Sequence, residues 1–169
     1  MAGKKITDLT DYPGGVFANT NEMEMSVDIG ASVFVSRKVS WTDILASIPS
    51  ESVNIQVAVS DETTALTTGT AKMTFRMPHG MTLSEVRCSV TTAPTGSVLT
   101  VDINDSGSSV LSTKLTIDIG EYTSTTSAIP PVISQIALVD DAEITIDIDT
   151  IGSTIAGTGL KVTLIGTKI

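Results

Sequence analysis

The chain has 169 residues, of which 41% are hydrophobic and 17% are charged, and its net charge is −9. This length and composition fit one globular domain with a short appendage, and they exclude a disordered chain. Affinity for phosphate backbones and for anionic lipid depends on Lys and Arg. The acidic balance therefore makes nucleic acid and membrane surfaces poor partners.

Cys88 is the only cysteine, which excludes an intrachain disulfide and a zinc site made of several thiolates. No apolar segment follows the lysines near the N-terminus, and no window reaches the length of a transmembrane helix. We therefore expect a soluble protein that is made in the reducing cytoplasm and folds by packing alone.

Residues 1–50 form a first segment, which a change of composition near Ile48–Asn54 separates from residues 51–169. Two strand-like runs come first in this segment. A short predicted helix follows them, capped by Ser40 or Thr42 and ended by Pro49. So few apolar positions cannot bury enough area for the segment to be stable alone, and we expect it to dock on another surface.

Residues 51–169 repeatedly alternate apolar and polar side chains, as in the sequences AKMTFRM, LTVDIN, EITIDID and GLKVTLIG. A period of two is typical of antiparallel strands with one buried face. Turn signals separate about eight such strands, and no long stretch has helical periodicity. The fold class predicted is all-β, an antiparallel two-sheet β-sandwich with jelly-roll topology and a small N-terminal appendage.

The stretch from Thr100 to Glu121 raises the question of a metal site, because Asp102, Asn104, Ser106 and Gly107 match the start of a calcium-binding loop. The match fails at its twelfth position, which is Thr113 where a glutamate is required. Asn, Asp and Gly also suit a tight turn. We predict a hairpin with Asp102 on its outer, solvated face, and no metal ion. The other acids of strands and turns are expected to face solvent as well.

Catalytic signals are few, and we predict that the protein is not an enzyme and binds no cofactor. His79 is the only histidine, in a loop without a neighbouring acid or nucleophile, and Cys88 reads as a packed strand thiol. A glycan platform has little support because aromatic residues make up only 4% of the chain, and Tyr122 alone among those of the sandwich is expected to be exposed.

The stretch SAIPPVISQIALVDDA contains more large apolar residues than one short strand needs: Ile129, Val132, Ile133, Ile136, Leu138 and Val139. Two interpretations remain open from the sequence. The stretch is either a strand that crosses between the two sheets or a surface that is buried in an interface.

Two parts of the sequence resemble virion surface proteins of tailed bacteriophages. KKITDLTDYPGGVF followed by VDIGASVFVSRKVSWTDIL is similar to the short attachment segment that opens many of these proteins. TTGTAKMTFRMPHGMTLSEVRCSVTTAPTGSVLTVDIN and GTGLKVTLIG are similar to β-sandwich domains of phage heads and fibres. The resemblance spans nearly the whole chain and carries no catalytic residues.

The resemblance implies a structural protein of the virion, a capsid decoration (cement) or head-fibre protein that commonly forms a homotrimer. Its partner would be the major capsid protein or another virion protein, contacted through the N-terminal segment. The residues expected at that contact are Phe17, Phe34, Trp41, Ile44 and Leu45. The alternative is a receptor- or glycan-binding module of a short tail fibre.

Overall fold

The computed structural model describes residues 22–28, 34–40 and 51–169. The chain divides into two units, residues 1–49 and 50–169. In the first unit, strand β1 (Glu22–Asp28) pairs antiparallel with β2 (Phe34–Ser40), which confirms the two predicted strands. Phe34 begins β2 opposite Asp28. The predicted helix and the residues Phe17, Trp41, Ile44 and Leu45 lie outside the described residues.

The second unit is built almost entirely of antiparallel strands. Their bounds are β3 (Ser52–Ala58), β4 (Gly69–Arg76), β5 (Met81–Ser89), β6 (Leu99–Asp105), β7 (Ser108–Ser109), β8 (Leu111–Thr113), β9 (Leu115–Ile117), β10 (Val132–Ile133), β11 (Ala137–Leu138), β12 (Glu143–Thr150) and β13 (Lys161–Lys168). A single 3-10 turn, Ser124–Thr126, interrupts this pattern in the described residues. None of the described residues forms a helix long and apolar enough to cross a membrane.

The strands form two main sheets. Sheet I has the order β11-β5-β13-β3, and sheet II has the order β4-β12-β6, with β9 and β7 pairing end to end along β6. If β7 to β9 count as one interrupted strand and β10 to β11 as another, the unit has eight strands. The first pairs with the eighth, the second with the seventh, the third with the sixth and the fourth with the fifth. This is the pairing of a jelly roll, and it confirms the predicted fold.

The core lies between the two sheets and follows the predicted alternation. Ile144, Ile146 and Ile148 of β12 and Val162 and Leu164 of β13 are all buried. Strand β4 departs from the prediction at Ala71, which was expected on the core face but is exposed, with a φ of 48°. A register shift between β12 and β4 lies next to it and turns the start of β4 away from the core.

The two edges of the sandwich differ in how completely their inward apolar side chains are buried. Near β9 and β11 the apolar side chains are completely buried, with 0% exposure of Leu115, Ile117 and Leu138. The inward side chains at the opposite edge are only partly buried against the core, and they come from β3 and the neighbouring β4 and loop: Val53, Ile55, Val57, Val59, Met73 and Phe75. This edge leaves apolar surface available for a further contact.

The β6–β7 connection is the predicted hairpin. Asp105 pairs with Ser108, and the two residues between them, Ser106 and Gly107, have φ values of 51° and 84°. Two consecutive positive φ angles are typical of a type I′ turn, whose twist matches that of the flanking strands.

A glycine in the centre of sheet I makes the packing there sensitive to one methyl group. A Cβ on Gly166 would lie 2.1 Å from the backbone oxygen of Thr82, at the register shift between β13 and β5. We expect Gly166→Ala to lower the free energy of unfolding by about 1–3 kcal/mol, because the backbone of a central strand must move. Urea denaturation followed by circular dichroism measures this loss, and an unchanged midpoint would show that the strands adapt without cost.

Candidate functional site

Asp102 is the residue for which the sequence prediction is wrong. It was expected to face solvent, yet it is only 4% exposed. Its carboxylate accepts hydrogen bonds from the Ser109 hydroxyl at 2.7 Å and from the Ile103 N–H at 2.9 Å, and it lies 3.0 Å from the Lys114 ammonium. The break between β7 and β9 brings Ser109 and Lys114 over the outer face of β6, and this covers the carboxylate.

Lys114 holds together a cluster of carboxylates on sheet II. Its Nζ lies 2.5 Å from Asp149 Oδ2 and also contacts Asp102. Hydrogen bonds to Asp149, and secondly to Asp102, hold the pKa of Lys114 above its usual value. Asp102 and Asp147 face each other directly across β6 and β12, a placement that repels like charges. The ammonium group offsets this repulsion, so the cluster is an ion-pair network.

In the part of the chain that the structure describes, no group of three or more His, Cys, Asp or Glu side chains is placed to hold a metal ion. Cys88 is buried as predicted, and burial raises the pKa of its thiol to about 12, so the thiolate needed for nucleophilic chemistry does not form at neutral pH. His79 lies in the β4–β5 loop as predicted, and its buried Nε2 has no hydrogen-bond partner among the described residues.

The most distinctive surface is formed by residues 127–139, which we call the apolar ridge. Four of its large apolar side chains are at least half exposed: Ile129 62%, Val132 50%, Ile136 56% and Val139 62%. The ridge contains no charged residue, although the chain has a net charge of −9. Large apolar side chains gathered on an otherwise polar surface are typical of an interaction site.

The ridge is held firmly against the sandwich. Leu138 is completely buried, and the backbone oxygen of Ile136 accepts a hydrogen bond from the Leu83 N–H at 2.6 Å. The Gln135 amide donates to Asp105 Oδ2 at 2.7 Å, next to the β6–β7 turn. Because the backbone is fixed at these points, the apolar side chains cannot turn inward, and their exposure is built into the fold.

The structure shows one of the two interpretations of this stretch, the crossing, and does not test the interface. The ridge crosses between the sheets, because β10 pairs with β8 while β11 pairs with β5 of sheet I. The crossing accounts for the buried Leu138 and the partly buried Ile133, but it leaves the other four apolar side chains exposed. The crossing is therefore observed, and the exposed side chains are those available for an interface.

A groove of about 530 Å³ lies beside the ridge. Its walls come from β5, the 3-10 turn and the first half of the ridge, and include Arg87, Ser124, Pro131 and Ile133. Arg87 is held within the wall by a bidentate ion pair with Glu85, with N–O distances of 2.5 and 2.9 Å. Strand β11 pairs with Met81 and Thr82 at one end of this edge of β5. At the other end the Cys88 N–H donates to Ser124 Oγ at 2.9 Å, and the groove lies between the two contacts.

The sequence analysis did not find this groove. Pro130 and Pro131 were a usable signal, because proline has no N–H to donate to a neighbouring strand and so marks where pairing along β5 stops.

The residues predicted for partner binding stay a prediction, because most of them lie outside the described residues. Of Phe17, Phe34, Trp41, Ile44 and Leu45, only Phe34 lies in a described strand. The surface that the structure does assemble, the apolar ridge, comes from the stretch whose interface role the sequence left open.

The fold and this surface define a jelly-roll protein with an uncharged, exposed apolar stretch. Comparisons of the chain with protein-family models, with curated proteins and with solved structures found no match.

The ion-pair network predicts a cost for removing Asp102. We expect Asp102→Ala to lower the free energy of unfolding by about 1–3 kcal/mol, because Ser109 and Lys114 lose a buried partner. The matched control is Asp140→Ala, which changes an exposed acid and should alter stability by less than about 0.5 kcal/mol. Urea denaturation of both variants measures the difference, and equal midpoints would contradict a structural role for Asp102.

Proposed function

We propose that this chain is a structural surface protein of a tailed-phage type of virion, a capsid decoration (cement) or head-fibre protein that acts as a homotrimer. The sandwich of residues 51–169 supplies the contacts between copies, and residues 1–50 attach the trimer to the major capsid protein or another virion protein. The observation that carries the proposal is the apolar ridge, a rigid and uncharged surface on an acidic jelly roll.

The chemistry of the ridge favours association over catalysis or small-molecule binding. Covering a large aliphatic side chain is worth about 1.5–3 kcal/mol, and four such side chains are exposed within this one stretch of the chain. The charges of an acidic protein oppose its self-association. The 13 residues Ser127–Val139 contain no charge, so copies of this chain can associate there without repulsion between charges of this stretch.

The attachment role of residues 1–50 rests on the sequence. This segment holds Trp41 and three of the other aromatic residues, and it resembles the attachment segments of phage virion proteins. Aromatic anchors commonly contribute the largest single energies in protein interfaces.

One observation favours the alternative of a receptor- or glycan-binding module. Tyr122 is 58% exposed, as the sequence predicted, and a single aromatic face can stack on a sugar ring. The two functions differ in copy number. A decoration protein is present in hundreds of copies per particle, whereas a fibre tip is present in few and binds host cells. Quantitative mass spectrometry of purified particles separates them.

We expect the purified chain to be a trimer by light scattering, and Ile136→Lys to weaken or abolish the trimer. The lysine places a charge in the apolar ridge, at a side chain already 56% exposed, so folding should not suffer. Ile155→Lys is the matched control, because Ile155 is 47% exposed but lies outside the ridge, and this variant should remain trimeric. A monomeric parent chain would contradict the proposal directly.

Attachment is tested with particles that lack this protein. We expect the full chain to sediment with such particles and Trp41→Ala to bind more weakly, since truncating an aromatic anchor commonly costs about 2 kcal/mol or more. Tyr122→Ala serves as the control and should bind as the parent chain does. Equal sedimentation of the Trp41 variant and the parent would mean that residues 1–50 are not the attachment segment.

A further inference from the structure

Strand β3 presents an open edge of sheet I. Among residues 51–169 only β13 pairs with it, and the register runs without a shift from Ser52 to Ala58. At the two ends of this ladder the Val59 N–H donates to Leu160 O at 2.8 Å, and the Lys168 N–H donates to Glu51 O at 3.2 Å. Odd-numbered residues therefore turn their backbone groups to β13. Ser52, Asn54, Gln56 and Ala58 turn theirs away from it.

This edge lacks the features that usually prevent a strand from pairing with another chain. Such edges are protected by charged residues, proline or a bulge. Residues 52–60 contain no charge and no proline, and the pairing of β3 has no bulge. The inward row Val53, Ile55, Val57 and Val59 is only partly buried, so apolar surface accompanies the free backbone groups. We call this surface the β3 edge.

The β3 edge and the apolar ridge belong to opposite sides of one sheet. Sheet I has the order β11-β5-β13-β3. Strand β11, which is part of the ridge, forms one edge of this sheet, and β3 forms the other. Both surfaces are uncharged over their whole length, although the chain carries a net charge of −9. At each of them a second acidic copy can approach apolar side chains and uncharged backbone together.

We propose that the apolar ridge of one copy packs against the β3 edge of the next copy. The inference rests on the proposed homotrimer and names the two surfaces that build it. A closed ring of three copies requires contacts between two different surfaces, whereas contact of a surface with itself produces a two-fold pair. The ridge and the β3 edge are two different surfaces of one copy, so a contact between them meets this requirement of a ring.

The test uses two variants that each remove one half of the contact. Ile136→Lys damages the ridge and leaves the β3 edge intact. Asn54→Pro removes a backbone N–H that faces away from β13, so the ladder with β13 is kept while the edge is blocked. Asn54→Thr retains the N–H and is the matched control. Circular dichroism and the thermal midpoint check that each variant is folded, and Asn54→Lys replaces the proline variant should that one be unstable.

We expect each variant alone to be monomeric by light scattering, and an equimolar mixture to form dimers. In the mixture, the intact β3 edge of the Ile136→Lys chain binds the intact ridge of the Asn54→Pro chain. The other two surfaces of this pair both carry a substitution, so no third copy can bind. A single contact holds less tightly than a closed ring. The dimer should therefore appear at higher concentration than the parent trimer does.

The outcomes separate this inference from the function it rests on. A parent trimer that persists in both folded β3-edge variants, Asn54→Pro and Asn54→Lys, would overturn the inference and leave the proposed homotrimer standing. A mixture that stays monomeric at every concentration would overturn the pairing of ridge with β3 edge. A monomeric parent chain would overturn the proposed trimer itself, and with it this contact.

Discussion

The structure of residues 51–169 depends on one constraint, which is that β12 and β13 must each bury one face between the two sheets. Their inward side chains, Ile144, Ile146, Ile148, Val162 and Leu164, are buried at the centre of the core. Because side chains alternate along a strand, a slip of one residue would move this whole set to the outer face. The central strands therefore fix the register of both sheets. The edge strands pair in the register that the central strands set.

The distribution of charge follows from the same constraint. Acidic residues occupy outer positions of β6 and β12 in sheet II, and where Asp102 and Asp147 face each other Lys114 offsets the repulsion. The two edges of sheet I, by contrast, contain no charged residue along Ser52–Ser60 and Ser127–Val139. Charged residues thus lie on the outer face of a sheet, whereas these two edge segments are uncharged and apolar. This arrangement suits a protein whose neighbours lie beside it.

Much of this fold could be predicted from the sequence, because alternation with a period of two directly reports which face of a strand is buried. The core positions of β6, β12 and β13 and the Asn104–Gly107 turn follow from that pattern and from turn chemistry. The burial of Asp102 could not be predicted, since it depends on Ser109 and Lys114 arriving from an interrupted strand, and no local pattern records that interruption. The exposure of the ridge could not be predicted either, because six large apolar residues within one short stretch look alike whether a sheet or a neighbouring chain covers them. The groove depends on how far β11 extends along β5, which is a property of pairing at long range.

The position of β13 has a consequence for how the chain is made. It is the last strand in sequence, yet it lies between β5 and β3 in the middle of sheet I, and its Val162 pairs with Val57 and Cys88 on either side. On the ribosome, β3 and β5 must wait for the whole of the intervening chain before the strand that joins them appears. Pairings between such distant residues make folding slow, because a long loop must close before any contact stabilises it. During that interval two apolar strands of every nascent copy lack the strand that pairs with both of them. Folding of sheet I therefore depends on how soon β13 becomes available to pair with β3 and β5.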